Sequence, residues 1–170
     1  MRKHIYDTVN KNNVIRSMAA ALSTWHQAAE NDRKDELWIP LWVYACSCID
    51  ALATLAYPTV QSARKRIVTY VSQNFPDLRS GIGAKKFYDK MRCRAIHSAS
   101  VSKPFLLERG KATDPYLRQD SGYPNRDLFN LTRFLDDLQN HLQGLQSVTP
   151  VPPHWTGPTS FPTPPASGEV

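Results

Sequence analysis

A chain of 170 residues suits one domain with a single core, and 41% hydrophobic residues argue against disorder throughout. The net charge of +6 tilts the partner toward an acidic one, RNA or an anionic protein. Three cysteines, Cys46, Cys48 and Cys93, are too few and of the wrong parity for a disulfide framework, which points to a reducing, cytoplasmic setting. The N-terminus MRKHIYD begins basic but lacks the apolar run of a signal peptide.

Residues 5–29 read as the first helix, because Ile15, Met18, Ala19, Leu22 and Trp25 or His26 recur at helical spacing. The charged run from Asn31 to Glu36 reads as a solvated connection. Residues 37–57 are apolar almost all round, with Pro40 in the first turn and Pro58 as the stop. Such a helix is either the buried centre of a bundle or a membrane span. Asp50 lies inside it, and an aspartate at mid-bilayer costs roughly 3 kcal/mol, so a buried helix and no membrane is the expectation. Ala45, Cys46, Ser47, Cys48, Ala51 and Ala53 are small enough to let neighbouring helices approach closely.

The third helix is expected over residues 59–75, with Ile67, Val68, Val71 and Phe75 inward and Arg64, Lys65 and Arg66 as a basic cluster, read as a solvated face ahead of a specific anion site. Pro76 ends it. Ser80-Gly81-Ile82-Gly83 reads as a turn, since no Lys-Ser or Lys-Thr pair completes a phosphate loop. Residues 87–98, FYDKMRCRAIHS, form the fourth helix, with Phe87, Met91 and Ala95 on one face and Lys86, Lys90, Cys93 and His97 on the other. Residues 100–125 hold Pro104, Pro115 and Pro124, and Phe105–Leu107 is expected to pair with Tyr116–Leu117 as a short β-hairpin. Asn125 suits an N-cap for a last helix whose stripe is Leu128, Leu131, Leu135, Leu138 and Leu142.

Seven of the 13 prolines fall in residues 150–165. A segment of that composition cannot bury enough apolar surface to offset its ordering entropy. The expected division is therefore a helical domain over 1–146 and a disordered, polyproline-biased tail over 147–170.

Arg92 and His97 have four residues between them, after an aromatic-rich turn. This resembles the R-x(4–6)-H motif of the HEPN family, the higher eukaryotes and prokaryotes nucleotide-binding domain. Residues 42–56, with small side chains and one acid, look like that family's buried central helix, and residues 127–143 look like its closing helix. The resemblance implies an all-α HEPN-like bundle with a short irregular or β-hairpin insertion. It implies a metal-independent endoribonuclease or RNA-binding protein of defence or toxin type, acting as a homodimer. The rival it leaves open is a non-catalytic module that binds a protein partner. Cys93 stands where catalytic members often carry a polar residue such as Asn.

The residue types suit the chemistry. Histidine titrates near neutral pH and can take a proton from the ribose 2′-hydroxyl. Arginine presents a planar fork that matches phosphate. Arg92 and His97 are thus the catalytic candidates, with Asp50, Tyr88, Lys90, Arg94 and Ser98 as orienting or phosphate-binding residues. Five steps on an ideal helix set Arg92 and His97 about 140° apart, so a bend or a second copy must complete the site. Asp50 is the expected partner of Arg92. Cys46 and Cys48 point to nearly opposite sides of their helix, so neither a metal nor another cofactor is expected.

Overall fold

The computed structural model describes residues 2–31, 37–92 and 105–147, with side chains from Lys11 onward. Two long helices come first, α1 (Arg2–Asn31) and α2 (Trp38–Ala56). Pro58 follows α2 and the chain turns into α3 (Ala63–Asn74). Ser62 caps α3 by accepting a hydrogen bond from the Lys65 backbone N–H at 3.3 Å. Arg66 reaches back to the carbonyls of Val60 and Gln61, at 2.6 and 3.2 Å, and ties the preceding turn to the helix. The third helix therefore starts four residues later than the sequence reading, because that turn takes residues 59–62.

Pro76 stops α3 and, lacking a backbone donor, serves as the first residue of a short helix, α4 (Pro76–Gly81). Gly83, at φ 82°, makes the turn into α5 (Ala84–Lys86). The chain then continues without a break as a π-helical turn, Phe87–Arg92.

The insertion is a sheet of β1 (Phe105–Glu108), β2 (Leu117–Gln119) and β3 (Asp127–Asn130). Its strand order is β1-β3-β2, with β1 parallel and β2 antiparallel to β3. Thus β1 and β2 do not form the expected hairpin; β3 lies between them, with Leu106 and Arg118 both opposite Leu128. The rest of the described chain is mainly helical, so the expectation of a mostly helical domain with a short β insertion stands. The last helix, α6 (Leu131–Ser147), begins only after β3. Its cap is Asn130, whose Oδ1 accepts from the Arg133 N–H at 3.1 Å, and not Asn125. The Asn130 amide also donates to the Lys111 carbonyl at 2.7 Å, and its backbone N–H to the Tyr116 carbonyl at 3.0 Å. The Asn130 side chain is buried, and with its backbone N–H it ties Lys111 and Tyr116 to the end of β3. Leu128 belongs to the strand, and its helical spacing from Leu131 and Leu135 is coincidental.

Trp42 sits at the centre, fully buried. Its ring meets Phe87, Phe129 and Phe134 edge-on at 6.3, 5.5 and 5.4 Å, so α2, the π turn, β3 and α6 share one aromatic cluster. α2 packs between α1 and α3 and also touches α6. It is not buried all round: Ile39, Ser47 and Thr54 are exposed along one edge. The two hydroxyls there bond back to the Val43 and Asp50 carbonyls, at 2.9 Å each, which keeps polar groups in an apolar helix satisfied. By length and composition α2 could span a membrane. The tail expectation, and the second half of the 87–98 helix, lie outside the described residues.

Candidate functional site

The π turn decides where Arg92 points. On an α-helix, a face built on Phe87 and Met91 would leave Arg92 at its edge. The wider turn, with its i→i+5 bonding, brings residue 92 over residue 87 and carries the arginine inward. Phe87 and Met91 are fully buried and Arg92 is 7% exposed. A buried guanidinium needs a counter-charge. Asp50 of α2 supplies it: Arg92 Nη2 donates to Asp50 Oδ2. The guanidinium also lies 5.5 Å from the centroid of the Tyr88 ring, close enough for cation–π attraction.

Two features keep this pair from being a closed structural lock. The Asp50 side chain remains 31% exposed. Arg92 Nε is buried and has no hydrogen-bond partner among the described residues. Cys46, one turn before Asp50, is fully buried, and burial pushes its thiol well above the usual range against the opposing pull of Arg92. It therefore stays protonated and is a core residue, not a nucleophile. Cys48 is raised to about 12 by burial and belongs to the core as well.

The surrounding charges are more committed than the sequence suggests. Lys86 is exposed but lies 3.9 Å from Asp127 at the start of β3 and 4.8 Å over the Phe105 ring. Lys90 is exposed. Asp89 is gripped by Arg64 of α3 through two hydrogen bonds, 3.0 and 3.1 Å. That bonding holds the Asp89 carboxyl below its ordinary range against the cost of burial, and the charges of Arg64, Lys85 and Lys90 add to the effect. Arg64 and Arg66 are thus structural contacts and not a free basic face. Of the candidates, the structure brings together Asp50, Tyr88 and Arg92 and leaves Lys90 outward. Cys93, Arg94, His97 and Ser98 lie outside the described residues.

A second polar cluster was not anticipated. Arg133 bonds to Asp77 at 2.6 Å, lies 3.8 Å from Asp137, and stacks on Tyr116 at 4.8 Å. Tyr116 donates its hydroxyl to Asp137. Nearby, the Tyr70 hydroxyl and His141 Nε2 share a hydrogen bond of 2.6 Å, and burial lowers the His141 pKa to about 4. Asp77, Asp137 and His141 border a cleft of about 320 Å³ with Asn74, Phe75, Pro76 and Leu78. The four-residue spacing of Arg133 and Asp137 was a readable signal; the approach of α4 was not. Among the described residues, no three His, Cys, Asp or Glu side chains converge as metal ligands. Comparison with protein-family models, characterised proteins and solved structures finds no match for this chain.

Proposed function

We propose that the chain is a HEPN-like, metal-independent endoribonuclease that works as a homodimer. The observation that supports this reading is the Asp50–Arg92 pair: a π turn carries a motif arginine inward, where an acid on the central helix fixes its orientation. In the proposed reaction His97 takes the proton of the ribose 2′-hydroxyl. The 2′-oxygen attacks the adjacent phosphorus and the 5′-oxygen leaves, taking a proton from water. The products are a 2′,3′-cyclic phosphate and a 5′-hydroxyl. Arg92 steadies the charge that builds on the phosphate oxygens. The test is cleavage of total RNA with a chelator present. Activity is expected to persist in chelator, to vanish in His97→Ala, and to fall sharply in Arg92→Lys, which keeps the charge but loses the fork.

One observation favours a second reading, a non-catalytic HEPN-like module that binds a protein. Arg92 is 7% exposed and its charge is already countered by Asp50, which suits a structural role. Absence of cleavage together with absence of RNA binding at low salt would leave only this module.

A further inference from the structure

We infer that the turn joining β2 to β3 is a base-stacking finger for single-stranded RNA, an inference that rests on the RNA reading above. Tyr123 at this turn is 58% exposed, the most open large apolar side chain among the described residues. The guanidinium of Arg126 lies over its ring at 4.2 Å. The pair is held on a stiff frame. Asp120 donates its N–H to the Arg126 carbonyl at 3.0 Å, Arg126 to the Tyr123 carbonyl at 2.9 Å, and Tyr123 to the Asp120 carbonyl at 3.3 Å. Two side chains complete the frame: Asp120 Oδ1 accepts from the Gly122 N–H at 2.9 Å, and the Gln119 amide donates to the Pro124 carbonyl at 2.6 Å.

None of these bonds uses the Tyr123 side chain, so the turn does not need the ring in order to fold. What the frame does is hold an aromatic plane and a cation together in water. Unpaired bases stack on such planes with little sequence preference, and arginine adds both a stacking surface and a charge for the phosphate. A duplex offers no free base face, so the ligand class is the single strand. The position fits the proposed site. Arg126 directly precedes Asp127, which pairs with Lys86 at 3.9 Å, one residue before the π turn that carries Arg92. A strand with one phosphate at the motif helix would present neighbouring bases to the finger.

The test uses the full chain and a fluorescent oligouridylate, with an RNA duplex of equal charge as the comparison, followed by anisotropy. Single-stranded RNA should bind more tightly than the duplex. Tyr123→Ala should weaken single-strand binding about tenfold, while Tyr123→Phe retains it. Arg126→Gln should lower the slope of log affinity against log salt by about 0.7, the value for one phosphate contact on a single strand. RNA binding that is unchanged in Tyr123→Ala overturns the finger and leaves the RNA reading intact. Loss of self-association in Tyr123→Ala, seen by light scattering with RNA affinity per subunit unchanged, overturns it too and assigns the ring to a dimer contact. If the wild type binds no RNA at low salt, the functional reading falls and the finger falls with it.

Discussion

Two arginine–aspartate pairs hold the same π turn. Arg92 reaches Asp50 on α2, while Asp89, three residues earlier, is held by Arg64 on α3. The exposed pair has the better geometry, two parallel hydrogen bonds from one guanidinium edge. Its side chains are 42% and 38% exposed, against 8% and 31% for Arg92 and Asp50. Water and salt screen the first pair, so its good geometry contributes little net stability. In the second pair Arg92 has left water while Asp50 keeps an exposed edge, so removing Asp50 strands the buried guanidinium. Burial therefore decides how much each pair matters, and geometry does not.

The most direct way to break this comparison is Asp50→Ala. Unfolding in urea should show a loss of about 3–5 kcal/mol, because Arg92 stays buried without its counter-charge. The double replacement Asp50→Leu with Arg92→Met should recover most of that stability. A single-mutant loss below about 1 kcal/mol would put the two pairs on the same footing.

His141 tests burial with a proton in place of a mutation. Its pKa is lowered to about 4 in the folded chain, by burial, from an ordinary 6.5. Below pH 6.5 the unfolded chain takes up this proton while the folded chain resists it. Stability from this group is thus full above about pH 6.5 and declines as pH falls toward 4, by up to about 3 kcal/mol. Replacing His141 with Gln should flatten that part of the profile of stability against pH.

Asn130→Ala removes a buried hydrogen-bonding group that carries no charge. It should cost about 2 kcal/mol, through the lost cap on α6 and the stranded Lys111 carbonyl, with a lower thermal midpoint as the readout. The smallest effect belongs to the exposed pair: Asp89→Ala should cost at most about 0.5–1 kcal/mol and less still in high salt. A loss equal to that of Asp50→Ala would show that hydrogen-bond geometry outweighs burial after all.

Much of this was legible before the structure. The apolar run of α2 with its stop at Pro58, the inward set of Phe87 and Met91, and the pairing of a lone acid with an arginine at the edge of the core all follow from periodicity and the cost of an unpaired buried charge. What was not legible came from contacts between distant segments. Nothing local distinguishes DLFN from the first turn of the helix behind it, since Leu128, Leu131 and Leu135 keep helical spacing. Only the β1 and β2 edges, arriving from elsewhere in the chain, make those four residues a strand. The same holds for Arg64, which reads as part of a solvated basic run until α3 packs beside the π turn and brings Asp89 within reach.

The sequence by itself determined which side chains must leave water and which helices could bury them, because hydrophobic burial and backbone propensity act over a few residues. The tertiary structure alone decided the partner of each strand, the cap of α6 and the inward course of Arg92. The strand partners, and with them the cap at the end of β3, depend on backbone supplied by distant segments. The course of Arg92 depends on a π turn and a distant acid that helical periodicity does not record.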